Sequence, residues 1–343
     1  MSADADADAN SEGQRGVAED VVLNVAEASR FGERALERLG FSMEEASVIA
    51  ANLVDAELCG YPALGLARVL TIAEHARMKQ PRKAVSVVHE TAVSATVDGG
   101  NTVGFYAVYR GAQIAIEKAR ASRFAVVGVH NSYLSGRNAY YLEMIARAGY
   151  VGVHIACGPP VVAPLGGKLA ALGTNPLAFG LPADPEPYIF DMGTSALNYG
   201  DVILASRLEQ LLPEGAAIDA QGLPTRDPRA ALAGAILPFG AHKGYGLSLT
   251  IQALGLLAGA ALPSGRVQDF GFLFIVFDPA LLVPTEQFKH QLAELIARVK
   301  ATPPQPGREE IRIPSESAFR ARRRGRVEGF VLERRVYERI KAL

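Results

Sequence analysis

The stretch VYRGAQIAIEKARASRFAVVGVHNSYLSGRNAYYLEMIARAGYVGVHIA, residues 108–156, decides the fold class. Val108 to Arg120 mixes helix formers with apolar residues, and Phe124 to Val129 is a short apolar run that reads as a buried strand. The pair then repeats, with a helix over Asn138 to Ala148 and a strand over Val151 to Ala156. Strand alternating with helix predicts an α/β middle to the chain.

Upstream, Ala84 to Val88 and Ala92 to Val97 read as strands by alternation and β-branching, and Asp98-Gly99-Gly100-Asn101 is a turn signal. Before them lie three helical patterns, Asn24 to Leu39, Ser42 to Leu58 and Leu66 to Lys79. The second opens on Ser42 with Glu45 three positions on, which is capping-box spacing. Downstream, Leu204 to Pro238 is loop-rich, Phe272 to Phe277 is a strand and Glu286 to Lys300 a helix. Thr302 to Gly307 is a linker, and Val331 to Leu343 reads as helical. No internal repeat is evident. The expected organisation is a tail over 1–20, a helical module over 21–82 and 303–343, and an α/β domain over 83–302.

Composition narrows the function. With 49% hydrophobic and 21% charged residues in 343, the chain can bury a large core and is not a disordered protein. Lys plus Arg is 35 and Asp plus Glu is 36, so no basic surplus invites nucleic acid. The two cysteines, Cys59 and Cys157, make neither a disulfide framework nor a zinc motif. Ser2 to Gly13 is acidic and of low complexity, without the features of a signal peptide; a disordered tail and a cytoplasmic protein are expected. Gly244 to Gly265 is uncharged and long enough to span a bilayer, but polar Ser248, Thr250 and Gln252 interrupt it. The expectation is a buried core helix and no membrane span.

The usual nucleotide signatures are absent. Gly244-Tyr245-Gly246-Leu247-Ser248-Leu249 lacks the third glycine of G-x-G-x-x-G, and no P-loop occurs. The six histidines, His75, His89, His130, His154, His242 and His290, have no metal-ligand spacing, so no metal is expected. Ser195 lacks a G-x-S-x-G context, and the run Arg320, Arg322, Arg323, Arg324 and Arg326 reads as a solvated face. Three strings instead look like site loops, because glycine lets backbone approach a ligand. They are Pro164-Leu165-Gly166-Gly167 running to Gly173-Thr174-Asn175-Pro176, then Asp191-Met192-Gly193-Thr194-Ser195, then His242-Lys243-Gly244-Tyr245-Gly246.

In this order the strings resemble the malate/L-lactate/L-sulfolactate dehydrogenase family, which includes 2,3-diketogulonate reductase, ureidoglycolate dehydrogenase and piperideine-2-carboxylate reductase. The resemblance runs from about Val21 to the C-terminus and includes Leu237-Pro238-Phe239-Gly240 and Ile311-Arg312-Ile313-Pro314. It implies an L-sulfolactate dehydrogenase-like fold: a non-Rossmann α/β domain binding NADH or NADPH, with a helical module beside it, in a homodimer. Carried over, it implies cofactor contacts at Phe190, Asp191, Met192, Gly193, Thr194, Ser195, His242, Lys243, Ser315 and Ser317. It gives substrate contacts to Arg68 and Asn175. The chain departs from the family at Pro314-Ser315-Glu316-Ser317, where the family resembles P-G-E or P-G-H-E.

The larger departure is catalytic. The family's S-H-G-x-x-R is here Ala63-Leu64-Gly65-Leu66-Ala67-Arg68, and its N-x-x-H-x-G is Asn131-Ser132-Tyr133-Leu134-Ser135-Gly136. Leu64 and Leu134 stand at the two histidine positions, while Arg68 is retained. A positioned acid contributes roughly 10²–10⁴-fold to ketone reduction, and leucine cannot donate a proton. Three readings follow. The substrate is an imine beside a carboxylate, which arrives protonated, with Arg68 holding the carboxylate. Or another acid substitutes, such as Tyr61, Tyr133 or Tyr141. Or the fold has left redox chemistry for a binding role. The first two together, an NAD(P)H-dependent reductase of C=N or unusual C=O groups in a small carboxylate, are the favoured expectation.

Overall fold

The computed structural model describes residues 20–343; the tail expected over 1–20 lies, but for Asp20, outside the described residues. The chain begins with β1 (Val21–Leu23), α1 (Val25–Arg38), α2 (Met43–Leu58) and α3 (Arg68–Glu74). Capping boxes at Asn24/Glu27 and Ser42/Glu45 start the first two helices. The expected third helix breaks early: His75 is extended, at ψ 131°, and only a 3₁₀ turn follows over Ala76–Lys79. The His75 ring accepts the Arg77 N–H there and so caps the new turn.

Next come β2 (Ser86–Glu90), β3 (Ser94–Asp98), α4 (Gly104–Ser122), β4 (Phe124–His130), α5 (Asn138–Arg147) and β5 (Val151–Cys157). The opening strand–helix alternation is therefore present, with α4 starting earlier than its apolar pattern. After it lie β6 (Leu177–Leu181), β7 (Tyr188–Met192), α6 (Tyr199–Leu208), β8 (Ala217–Ile218), α7 (Pro228–Ala233) and β9 (Ala235–Ile236). The chain ends with α8 (His242–Leu257), β10 (Gly271–Phe277), α9 (Thr285–Lys300), α10 (Glu316–Glu328), β11 (Phe330–Leu332) and α11 (Arg334–Lys341). Asp191-Met192 thus closes a strand, and the helix expected from Val331 begins only after β11 has paired with β1.

Seven strands form one sheet in the order β2-β3-β4-β10-β5-β6-β7. Only β3 and β4 run parallel, so this α/β sheet is mixed, and the late strand β10 sits at its centre. Side-chain alternation assigns its faces. Phe272, Phe274 and Val276 join Val127, Val129, Tyr141 and Ile145 in the core under α4 and α5. Leu273 points the other way, into a smaller core with Ile155 and Ile251 of α8. A separate core joins α1, α2, α3, β11 and α11, and takes Phe105 and Tyr133 from the middle of the chain.

Two expectations are corrected. Helix α8 is not buried all round: Leu249 is 51% and Leu257 75% exposed, because the sheet covers one side only. It has 16 residues, and among the described residues no helix is long and apolar enough to cross a membrane. The arginine run is not wholly a solvated face either. Arg322 is buried, with Nε 2.9 Å from Asp55 of α2 and Nη2 2.6 Å from Glu143 of α5. Arg137 contacts the same two carboxylates, at 2.9 and 3.1 Å. This buried cluster ties α10 to α2 and α5.

Candidate active site

A cavity of 1080 Å³ opens between the helical layer and the sheet. Its size lies at the upper end of the range for ligand sites. Tyr61 and Leu64 reach it from the loop after α2, and Arg68 and Thr71 from α3, with Glu74 and His75 at that helix's end. Leu134, Arg137 and Asn138 come from the β4–α5 connection, Asn175 from the G-T-N-P loop and Phe190 to Gly193 from β7. Tyr199 and Arg207 of α6 close one side, and Ser315 lies at the rim before α10.

Arg68 dominates the electrostatics. It is buried, forms no ion pair among the described residues, and its Nε has no partner. Burial pulls its guanidinium down to about 10, from 12.5. A side chain at residue 200 would collide with Arg68 Nη2, so Gly200 is what lets the guanidinium lie beside α6. A lone buried cation on an otherwise mixed wall is costly unless an anion completes it.

The loop carrying Leu64 is braced from beneath. Glu57 Oε1 accepts the Leu66 N–H at 2.7 Å, and Gly65 leaves room for that carboxyl to pass. Burial pushes Glu57 up to about 8, so it is protonated at neutral pH. Three non-glycine residues of the wall hold left-handed backbone: Leu134 at φ 59°, Asn175 at φ 38° and Ser315 at φ 61°. For leucine that conformation is sterically strained.

The sequence-derived residues divide in two. Arg68, Tyr61, Leu64, Leu134, Asn175, Phe190, Asp191, Met192, Gly193 and Ser315 share the cavity wall. Tyr133, Thr194, Ser195, His242, Lys243 and Ser317 do not line it. Tyr133 is fully buried, its hydroxyl 3.4 Å from Met78 Sδ. Tyr141 is likewise interior, donating to the Ser135 carbonyl at 2.6 Å. Thr194 sits behind the wall and donates to the Asn175 carbonyl at 3.0 Å. Ser195 is turned onto the Leu197 carbonyl, while His242, Lys243 and Ser317 are exposed.

Asp191 and Asn175 are partly committed to structure. Asp191 Oδ2 accepts the Ala139 N–H at 2.8 Å, capping α5, and burial raises its carboxyl. Asn175 Nδ2 donates to Ser248 and Gln252 of α8, at 2.9 and 3.0 Å. Its Oδ1, and both amide atoms of Asn138, are buried without partners. Buried unpaired amides on a cavity wall fit a ligand that carries a carboxamide of its own. Sequence reasoning missed Asn138, Arg137, Tyr199, Arg207 and His75. For His75 a signal existed, because it follows Arg68 by seven residues on a helical stripe.

A roomy cleft with a buried arginine and unpaired amides has the chemistry to take a small anion beside a larger, amide-bearing ligand. The chain belongs to the malate/L-lactate dehydrogenase family, matching it over residues 23–341. It is therefore an NAD(P)-dependent oxidoreductase. It is similar to L-sulfolactate dehydrogenase of Methanothermobacter thermautotrophicus, at 37% identity over 87% of this chain and 89% of that protein. It is similar also to Delta(1)-pyrroline-2-carboxylate reductase of Ancylobacter novellus, at 34% identity over 95% of this chain and 98% of the other. The solved sulfolactate dehydrogenase of Methanocaldococcus jannaschii superposes with a TM-score of 0.81 at 30% identity, covering 94% and 96% of the two chains. Among the described residues no cluster of three or more His, Cys, Asp or Glu is placed to hold a metal ion.

Proposed function

We propose that this chain reduces a C=N group adjacent to a carboxylate, with an unusual C=O as the neighbouring possibility, at the expense of NADH or NADPH. The observation that carries this reading is the wall itself. Among the described residues Arg68 is a buried cation that forms no ion pair, and beside it stand Leu64 and Leu134, at the positions where the resemblance puts two histidines. Arg68 would take the substrate carboxylate by charge-assisted hydrogen bonds. The leucines would keep water away from the reacting carbon and favour a substrate that brings its own proton on nitrogen. The relative from Ancylobacter novellus, a pyrroline-2-carboxylate reductase by name, supports the same substrate class.

When bound, the nicotinamide supplies the hydride. Phe190 to Gly193 and Ser315 would hold it along the wall, with the unpaired amides of Asn138 and Asn175 answering its carboxamide. On this reading 83–302 is the cofactor domain, and 21–82 with 303–343 the module that presents Arg68. The exposed apolar side chains of α8, Leu249 and Leu257 among them, support a homodimer through that helix. The two buried free thiols, Cys59 and Cys157, suit a reducing compartment, and we place the protein in the cytoplasm.

The test is direct. The purified protein should bind NADH or NADPH by calorimetry and reduce Δ1-pyrroline-2-carboxylate faster than pyruvate or oxaloacetate. No nicotinamide binding would sink the reading. A pyruvate rate above the imine rate would remove the C=N preference.

A further inference from the structure

We propose that the substrate's carboxylate is shared between the Arg68 guanidinium and the first turn of α6, and that Gly200 is the specificity-determining residue that lets the two meet. The inference rests on the reductase reading above and deepens it, because it gives the carboxylate site a second half.

Glycine has no backbone reason to stand at residue 200. It is the second residue of α6, a helix of 10 residues, and its φ is not in the left-handed region. Glycine is a poor helix former, so an ordinary helical position held by it needs another cause. The cause is packing. A Cβ at residue 200 would stand 2.2 Å from Arg68 Nη2, 2.9 Å from its Cζ and 3.1 Å from the Ala63 carbonyl oxygen. Without that carbon the helix end and the guanidinium lie against each other.

Taken alone, the contact is electrostatically unfavourable. The first turn of a helix presents unsatisfied N–H groups and partial positive charge. Asp201 and Val202 donate to the Asn198 carbonyl, at 3.0 and 3.4 Å, but among the described residues the N–H groups of Tyr199 and Gly200 find no protein acceptor. Arg68 is 9% exposed, its Nε has no partner, and it forms no ion pair among the described residues. Asp201 is near enough for its charge to favour the cation, yet its Oδ2 is turned back onto Asn198, 3.0 Å from Nδ2 and 3.3 Å from the backbone nitrogen. Arg207, whose charge also bears on Arg68, is already paired with Glu74 at 2.7 Å.

Arg68, Asn198, Tyr199 and Gly200 all line the cavity. Two positive ends with donors to spare therefore face one space. A single planar anion answers both, taking the guanidinium's fork on one side and backbone N–H groups on the other. A carboxylate has that shape and charge. A carboxamide of the same shape has no charge for either end to hold.

The experiment uses the full chain as wild type, Gly200→Ala, Arg68→Met and the double variant. The probes are pyrrole-2-carboxylate and pyrrole-2-carboxamide, with NADP⁺ present. Alanine is the better helix former, and it displaces chiefly the end of a long side chain, so Gly200→Ala should fold, as thermal unfolding checks. By calorimetry the wild type should prefer the carboxylate by roughly tenfold or more, as hydrogen bonds to a charged group require. Gly200→Ala should lose most of that preference. The double variant should lose no more than Arg68→Met alone, because both residues serve one site. A second readout needs no variant and decides the matter if Gly200→Ala does not fold. The Tyr199 and Gly200 amide signals of the wild type, followed by ¹⁵N NMR, should move downfield with the carboxylate, and neither with the carboxamide nor with NADP⁺ alone. A wild type without the preference, a Gly200→Ala that keeps it, additive losses in the double variant, or amide signals that the carboxylate leaves in place would each overturn the proposal. Signals moved as far by NADP⁺ alone would assign the site to a cofactor phosphate and overturn it too. If the carboxylate binds as described but the wild type does not reduce Δ1-pyrroline-2-carboxylate with NADH or NADPH, the reductase reading falls and the shared carboxylate site stands.

Discussion

Replacing Arg68 by methionine separates a functional cation from a structural one, because the two roles predict effects of opposite sign. Methionine matches the length of the arginine stem and tolerates an irregular wall. Among the described residues Arg68 forms no ion pair, and burial outweighs the charge of Asp201 to bring its guanidinium down to about 10. Removing such a cation breaks no ion pair, so the fold should be as stable as before or more so. Substrate binding should move the other way. Losing a hydrogen bond to a charged group costs about 1.5–3 kcal/mol, which is roughly a 10- to 150-fold fall in kcat/KM. The assay pairs steady-state kinetics on Δ1-pyrroline-2-carboxylate with thermal unfolding. The carboxamide of the same ring serves as a control, since it has no charge for Arg68 to hold and should discriminate little between the two proteins. If Arg68→Met leaves kcat/KM unchanged while its Tm drops by several degrees, the side chain is a strut and the substrate assignment fails.

Two further outcomes follow from buried groups and open faces. Glu57 is pushed up to about 8 by burial, from 4.5. Between those values the folded state holds a proton that the unfolded state has lost, so stability is full below about pH 4.5 and is lost as pH rises toward 8. Glu57→Gln keeps an acceptor for the Leu66 N–H and should flatten that part of the Tm-against-pH curve; a curve of unchanged slope would mean the carboxyl is already ionised. Leu257→Asp, at 75% exposure on α8, should convert a dimer to a monomer by light scattering while leaving the far-UV spectrum alone. A wild-type monomer would remove the assembly proposal outright.

How much was legible in the sequence depended on whether a residue acts locally. The capping boxes at Asn24 and Ser42, and the alternation from Val108 to Ala156, are near-neighbour physics, and these elements stand where their patterns put them. Helix α8 was misjudged because an uncharged segment reads alike whether covered on one side or on both. Burial of Arg322 was not legible because its partners, Asp55 and Glu143, lie 267 and 179 residues away. The site shows the same division. Glycine-rich loops announced Asn175 and Phe190 to Gly193, since backbone freedom is written in single residues. His75 carried only its helical spacing from Arg68, and its place on the cavity wall showed once the helix ended early and its ring turned onto Tyr133.

The strained wall adds a physical argument about the cavity's origin. Leu134 and Ser315 lack the conformational freedom of glycine, yet both sit at positive φ, and Leu134 carries a bulky side chain there. Such a residue costs roughly 1–2 kcal/mol and persists only where the surroundings over-determine it. The surroundings here are the Tyr133 ring beneath His75 on one side and the Ser135 carbonyl held by Tyr141 on the other. The backbone path is thus fixed by buried neighbours and does not depend on what residue 134 carries. That independence is why leucine can stand there without collapsing the cavity.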